Sequence, residues 1–371
     1  TLALYPYVYL LARAAFLEQS ICAIEVARTL GHGPWATFFR VALPLARPAI
    51  AAGAALALME AAADFGTVQY FAVDTFTTGI YRTWFGLGNK VAAAQLAAAL
   101  MSFVLLVLVL ERLSRGEARY HHTSRRWQRI VPAALTGGRA VLALLVCIAP
   151  ILFGFILPCA ALLNLSFEGG DPLFGQRFLT YATNSFILAG LGAAITVLAA
   201  LVIAYALRLH ATPAIRVAAR IAGLGYAIPG SVIAVGMLIP LATFDNIVDA
   251  WMRATFGVST GLLLSGTLVA ILVAYMARFL ALGLNAAESG LTRVTPSMDE
   301  AARTLGASPT ATLARVHAPI LRGSVLTGAI LVFVDVLKEL PATLIIRPFN
   351  FDTLAIRVYH LASDERLAQA S

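Results

Sequence analysis

The sequence predicts an all-α protein that crosses a membrane several times, and two observations carry this prediction. Of its 371 residues, 60% are hydrophobic and only 12% are charged, whereas a soluble domain has about 25% charged residues. The chain also contains long runs of Ala, Leu, Val and Ile, and about 20 such residues form a helix that spans the bilayer core. A water-soluble fold is therefore excluded, and so is a lipid-exposed open sheet, whose edge would leave backbone groups unpaired.

Eight apolar runs are predicted to span the membrane, the first of them clipped by the start of the chain. They cover 1–12, 49–70, 91–110, 140–164, 184–207, 217–241, 261–277 and 323–346. Small residues such as Gly53 and Gly190 lie within the runs and favour close helix packing. The chain opens on Thr1 without an initiator Met or a basic leader, so we expect a fragment of a longer protein.

The distribution of arginine predicts which loops face the cytoplasm, because short cytoplasmic loops collect Lys and Arg. Most arginines fall in alternate loops, for example Arg28, Arg208 and Arg278, and few lie on the opposite side, for example Arg82. The cytoplasmic loops are predicted around 22–48, 111–139, 208–216 and 278–322. Basic loops on an anionic leaflet also explain the net charge of +8, so no nucleic-acid partner is expected.

An internal repeat divides the chain. Glu25-Val-Ala-Arg-Thr-Leu-Gly31 recurs as Glu300-Ala-Ala-Arg-Thr-Leu-Gly306, an offset of 275 that continues without a gap from Pro34 and Pro309 to Arg82 and Arg357. An even number of predicted spans separates the copies, which gives them the same orientation and excludes an inverted repeat. We therefore predict the last part of one half at 1–110, a basic linker at 111–139, and a second half at 140–371.

Each repeated segment, 22–48 and 285–322, is predicted as a helix, a break and a short second helix. Gly31 and Gly306 are suited to a left-handed helix end. A proline then opens the second helix at Pro34 and Pro309. Pro44 and Pro319 are predicted to end this second helix, where the next span begins.

These segments resemble the EAA loop of binding-protein-dependent ABC importers, in which Glu-Ala-Ala is followed by a glycine and, near the end, by a proline. The first copy departs from the pattern only at Val26. The resemblance implies two tandem, like-oriented, MetI-like halves of six helices each, of which this chain holds part. It also implies a docking site for the ATPase subunit in each loop. The implied coupling residues are Glu25, Ala27, Leu30, Gly31, Pro44, Glu300, Ala301, Ala302, Leu305, Gly306 and Pro319.

The partners follow from the same resemblance. The chain has no Gly-x-x-x-x-Gly-Lys-[Ser/Thr] motif, so ATP and Mg²⁺ are expected on two separate ATPase subunits, and a periplasmic binding protein is expected to deliver the substrate. No cofactor or metal is expected in this chain. The alternative for each loop is an amphipathic segment that lies on the lipid headgroups.

Four acidic residues are predicted within spans, where ionisable groups are costly and usually functional. Glu60 and Asp64 lie on one helix face, and the offset of 275 relates them to Asp335 and Glu339. Either these residues line the translocation pathway or its gate, or they form a polar seam between the halves that is neutralised by hydrogen bonds or by Lys338. Pro229-Gly230 interrupts a predicted span and is either a gate or a simple kink.

The resemblance extends over nearly the whole chain and points to the fused Fe(III) permeases of the inner membrane. It is carried by Leu4–Arg13, by Asp64–Phe71 and by Phe76–Trp84. Permeases for thiamine, sulfate, molybdate and polyamines resemble the chain as well, so the substrate stays open. The other classes considered are a membrane-embedded enzyme and an ATP-independent channel, but the sequence has neither a His-Glu-x-x-His motif nor a filter-like loop.

Overall fold

The computed structural model describes residues 2–19, 21–115, 135–168, 175–210 and 212–371. Within these ranges the regular structure is helical throughout. Most of the predicted linker 111–139 lies outside the described residues. The described residues form two compact units, one from the ranges 1–62, 102–170 and 371, and one from the ranges 63–101 and 171–370.

The helices follow one another along the chain with short connections. In the first 115 residues they are α1 (Tyr5–Glu18), α2 (Ile21–Thr29), α3 (Pro34–Ala63), α4 (Gly66–Tyr70), α5 (Phe76–Tyr81) and α6 (Lys90–Arg115). Next come α7 (Gly138–Phe167), α8 (Gln176–Leu209), α9 (Pro213–Ala222), α10 (Gly230–Phe256) and α11 (Leu268–Leu291). The last are α12 (Pro296–Thr304), α13 (309–337), α14 (Pro341–Ile346), α15 (Leu354–Ser363) and α16 (Leu367–Ala370).

Seven of the described helices are long and apolar enough to cross a membrane, which confirms a polytopic all-α protein. They are α3, α6, α7, α8, α10, α11 and α13. The first of the eight predicted spans forms α1, which is helical but has only 14 residues. The later helices have other bounds than predicted. The span predicted at 261–277 is the helix Leu268–Leu291, and the one predicted at 323–346 ends at Leu337.

Pro44 and Pro319 do not end helices, which corrects the sequence prediction. Each lies inside a continuous helix, α3 or α13, directly after a π-helical turn, Phe38–Ala42 or Leu313–His317. A proline in an α-helix meets the carbonyl of the preceding turn. In a π turn the hydrogen bond reaches back five residues, as from Leu43 N–H to the Phe38 carbonyl. We infer that this wider turn accommodates the proline ring.

The repeat seen in the sequence is also a repeat of backbone structure. Helices α2 and α12 begin and end at positions 275 residues apart, and so do the two π turns. The break after each long helix has the same conformation, with φ and ψ of −116° and −48° at Phe65 and −110° and −54° at Leu340.

In the unit of residues 63–101 and 171–370, α11 is the most buried long helix, and it packs against α8 and α13. Small residues allow the backbones to approach: a Cβ on Gly328 would lie 2.7 Å from the Cβ of Ala286. In the other unit, a Cβ on Gly53 would lie 2.7 Å from the Cα of Val8, so Gly53 is a close-packing site as predicted. Gly190 is not, because a Cβ there would meet nothing within 4 Å.

Candidate functional site

The two repeated segments end their first helices with the same hydrogen bonds. The His32 amide donates to the Ala27 carbonyl at 3.1 Å, and the Gly31 amide donates to the Arg28 carbonyl at 3.0 Å. In the second segment the Ala307 amide donates to the Ala302 carbonyl at 3.0 Å. This pattern is a Schellman motif, which needs a residue with positive φ. Gly31 and Gly306 supply it, with φ of +82° and +79°.

The motif fixes which side chains of each segment point inward and which face outward. Ala27 and Ala302 are 3% and 7% exposed, so each alanine packs its helix against the protein. Leu30 and Leu305 are 72% and 86% exposed, although leucine is usually buried. Each segment therefore presents an apolar leucine at the tip of a rigid turn, and the name coupling segment is used below for 22–48 and for 285–322.

The other predicted coupling residues lie around this tip. Glu25, Glu300 and Ala301 are exposed on their helices. Pro44 and Pro319 are exposed further along, within α3 and α13. Nothing lies within 4 Å of a Cβ built on Gly31 or Gly306, so within this chain the glycines are needed for their backbone conformation. Their role in docking stays a prediction.

The four acidic residues of the repeat occupy different environments. Glu60 is half-buried near the end of α3, and Asp64 follows in the break, where one carboxylate oxygen lies 3.2 Å from the Thr67 amide that donates to it. Asp335 is largely buried in α13 and forms an ion pair with Lys338 at 3.0 Å. Only Glu339 is fully buried, at 5% exposed.

Glu339 lies at the centre of a buried ionic cluster. Its Oε2 lies 2.7 Å from Nη1 of Arg278, in an ion pair that lacks the alignment of a hydrogen bond. Its Oε1 accepts a hydrogen bond from the Ala342 amide at 2.9 Å, at the N-terminus of α14. The Glu339 carbonyl accepts a hydrogen bond from the Thr343 hydroxyl, which also pairs with Tyr275. The carboxylate therefore fixes the break between α13 and α14 against α11.

The position of Arg278 corrects the predicted boundary between a span and a loop. The sequence placed Arg278 in a cytoplasmic loop, but it lies inside α11, where its side chain is 11% exposed. An isolated buried charge would be very unfavourable. The apposed Glu339 makes this arginine tolerable, so the helix continues past it to Leu291.

Pro229-Gly230 is not a kink inside a span. The run 217–241 divides into α9, a short 3₁₀ turn at Gly225–Ala227 and α10, and Gly230 is the first residue of α10. Any Cβ on Gly230 would collide with the guanidinium of Arg278 and the carboxylate of Glu339. Glycine at this position therefore lets the N-terminus of α10 approach the ion pair. Whether the break also acts as a gate stays a prediction.

The two helix breaks of the repeat meet each other within the unit of residues 63–101 and 171–370. A Cβ on Gly66 would lie 3.3 Å from Cδ2 of Leu340, and these residues occupy adjacent repeat positions. Phe65 is buried beside the break, with its ring centroid 5.0 Å from that of Tyr81 and 5.4 Å from that of Tyr359. Apolar and aromatic side chains therefore fill the contact between the two equivalent helix breaks.

The sequence analysis did not find Arg278 or the aromatic residues beside the breaks. Arg278 follows an apolar run and so looked like the end of a span. Phe65 was noted only as part of Asp64-Phe65-Gly66, and nothing in its local pattern points to Tyr359, which is far away in the sequence. The repeat could have indicated that these breaks are structurally equivalent, because its offset of 275 pairs Phe65 with Leu340.

The seven long apolar helices of the described residues define a polytopic membrane protein, and the helix-turn-helix segment at 22–48 recurs at 285–322. Residues 1–115 match the family described as "Binding-protein-dependent transport system inner membrane component". The chain is therefore a multi-pass inner-membrane protein whose first 115 residues are similar to the membrane components of binding-protein-dependent transport systems.

Individual relatives refine this assignment. The chain is 26% identical to "Fe(3+)-transport system permease protein FbpB 2" of Haemophilus influenzae, over 100% of the chain and 71% of that protein. It is 26% identical to "Ferric transport system permease protein FbpB" of Actinobacillus pleuropneumoniae, over 92% of the chain and 50% of that protein. Similarity to "Molybdenum transport system permease protein ModB" of Escherichia coli K12 reaches 28% but covers 31% of the chain. The chain thus spans from half to 71% of its ferric relatives.

Proposed function

We propose that this chain forms the translocation pathway of an importer driven by ATP hydrolysis on separate subunits. The observation that carries the proposal is the pair of coupling segments, which share a backbone fold, a buried alanine and an exposed leucine. A periplasmic binding protein delivers the substrate, and two ATPase subunits bind ATP and Mg²⁺ and each receive one segment. The family assignment supports both kinds of partner.

The geometry of the segments suits a contact that transmits force. The Schellman end leaves no free rotation between the first helix and the turn, and the second helix runs directly into a long membrane helix through a π turn. A displacement of Leu30 or Leu305 therefore passes into α3 or α13 across a connection of only two residues, 32–33 or 307–308. Burial of an exposed leucine at a partner surface also contributes roughly 1.5–3 kcal/mol to docking.

Replacement of both leucines by glutamate should abolish binding of the ATPase. The Leu30→Glu, Leu305→Glu protein would have to bury two carboxylates in an apolar contact, so we expect the amount of co-purified ATPase to fall at least about tenfold, a loss of ~1.4 kcal/mol. The measurement is affinity purification of the full-length permease from cells that also express its ATPase subunit.

Phe349→Glu serves as the matched control, because Phe349 is 93% exposed and lies outside both coupling segments. It should leave co-purification unchanged. The alternative, in which the segments only rest on lipid headgroups, predicts that the double variant retains its ATPase while its association with anionic vesicles weakens. That result would refute the coupling assignment.

The substrate that we propose is Fe(III). Similarity to ferric permeases extends along 92% to 100% of the chain, whereas similarity to the molybdenum permease covers 31%. Carboxylate oxygens are also the hard ligands that suit a hard cation. Thiamine, sulfate, molybdate and polyamine are the alternatives. The uptake of radiolabelled iron and of radiolabelled molybdate is compared between wild type and a strain lacking the gene. The ion whose uptake is lost shows whether the substrate is a cation or an oxyanion.

We further propose that Glu60, Asp64 and Asp335 contribute oxygen atoms to the pathway. All three are partly accessible, with Asp335 in an ion pair with the exposed Lys338, whereas Glu339 is buried against Arg278. Glu339 then acts as a positioning residue for the break beside the pathway. A channel or a membrane-embedded enzyme would not require ATP, so loss of uptake on depletion of ATP distinguishes the importer from both.

A further inference from the structure

The second coupling segment carries an ionic network that involves four side chains. Asp299 lies directly before Glu300 in α12, and its Oδ2 accepts a hydrogen bond from Nη2 of Arg208 at 2.7 Å. Its Oδ1 lies 2.6 Å from Nε2 of His317, whose side chain is 3% exposed. The other ring nitrogen of His317 lies 3.0 Å from the hydroxyl of Tyr205. These four residues are called the Asp299 network, and they join α8, α12 and α13.

Arg208 extends this network to the end of α11. Its guanidinium donates hydrogen bonds to the carbonyls of Leu291, at 3.2 Å, and Val294, at 3.1 Å. Leu291 is the last residue of α11 and Val294 follows it in the turn, so Arg208 gives the Val294 carbonyl a donor and adds a second donor to the Leu291 carbonyl, which also accepts from the Val294 amide. One side chain from α8 thus holds the end of α11 and the start of the coupling segment together.

The electrostatics keep Asp299 in its charged form. Burial raises the pKa of Asp299, but the hydrogen bonds from Arg208 and His317 and the charge of Arg208 outweigh burial and lower it below its ordinary value. Hydrogen bonds between charged partners are about twice as strong as neutral ones. The attachment of α12 is therefore made of charge-assisted contacts.

The first coupling segment has no equivalent network among the described residues. The positions that correspond to Asp299 and His317 are Ile24 and Ala42, which are both apolar. This segment is held by a hydrogen bond from the Gln19 amide to the Ala42 carbonyl and by the stacked rings of Phe16 and Phe38. Two segments with the same backbone fold are thus attached to the protein by different chemistry.

We infer that the Asp299 network makes the two coupling segments mechanically unequal. It holds α12 rigidly to α8 and α13, so that these three helices move as one body, whereas α2, with Ile24 at the position of Asp299, cannot form this network. Asp299, His317 and Arg208 are positioning residues in this scheme. The consequence for transport rests on the proposed function, but the difference in rigidity does not.

Hydrogen exchange in the full-length permease, reconstituted in lipid nanodiscs, tests the rigidity directly. We expect amides of 296–304 to exchange more slowly than those of 21–29. Asp299→Asn, which keeps the shape of the side chain, should accelerate exchange in 296–304 about tenfold, or ~1.4 kcal/mol, and leave 21–29 unchanged. Ser297→Ala, at an exposed position on the same helix, is the matched control. Equal exchange in Asp299→Asn and wild type would overturn the inference.

A second measurement reports on transport. In the permease reconstituted with its ATPase, Asp299→Asn should lower the number of substrate ions moved per ATP hydrolysed, while hydrolysis itself continues. A variant that loosened the whole protein would lower both rates together. If the wild-type permease shows no ATP-dependent uptake, the proposed function is wrong, and the exchange experiment alone decides on the network. If wild type is coupled and Asp299→Asn keeps both the ratio and the exchange, the network has no such role.

Discussion

Replacement of Glu339 by alanine should destabilise the permease by about 3–5 kcal/mol, the usual cost of breaking a buried ion pair by removing one partner. The substitution leaves the guanidinium of Arg278 buried without its counter-ion and removes the acceptor of the Ala342 amide. The expected result is a large fall in the midpoint of thermal unfolding, measured on the full-length protein at constant detergent.

Three further variants identify the cause of this loss. Glu339→Gln keeps an acceptor for Ala342 and should lose less stability than Glu339→Ala. The pair Arg278→Met, Glu339→Leu removes both charges and should recover most of the loss, because apolar replacement of a buried pair is often neutral. Gly230→Ala should also destabilise the protein, since its Cβ would displace the pair, whereas Gly236→Ala on the same helix meets open space. If Glu339→Ala unfolds at the wild-type temperature, the ion pair does not hold the helix break.

The coupling segments could be predicted from the sequence because their structure depends on local interactions. A Schellman end needs only a helix and a residue tolerant of positive φ, and Gly31 and Gly306 stand at the same point of both copies. The repeat made the prediction firm, because two segments with equal spacing must satisfy the same backbone geometry. The small size of glycine within a span also predicted close helix packing. This prediction is confirmed for Gly53 and wrong for Gly190.

The errors of the sequence analysis arise where distant residues or unusual turns decide the structure. A predicted span is ended at the first charged residue after an apolar run, so Arg278 was placed in a loop. Its burial depends on the distant Glu339, which the local sequence pattern does not reveal. Proline normally stops a helix, so Pro319 was placed at a boundary, whereas a π turn lets α13 continue. The Asp299 network was missed because its partners lie on three helices, although the difference between Asp299 and Ile24 was a visible signal.

Simultaneous neutralisation of Glu60 and Asp335 should abolish uptake of the substrate. The two residues are related by the repeat offset, and each places a carboxylate near the end of a long membrane helix. A cation that leaves water needs oxygen ligands or negative charge along its route. We expect Glu60→Gln, Asp335→Asn to reduce uptake of radiolabelled iron by at least about tenfold, equivalent to ~1.4 kcal/mol, while the ATPase still co-purifies.

The repeat also supplies the control for this experiment. Asp364 is an exposed acid whose equivalent in the first copy is already an amide, Asn89, so Asp364→Asn changes one charge without touching the proposed pathway. It should transport iron like wild type. Because Asp335 pairs with Lys338, the single variant Asp335→Asn also breaks this ion pair. Lys338→Met combined with Asp335→Asn removes that positive charge, and if uptake then returns to the wild-type rate, the carboxylate served the ion pair and not the substrate.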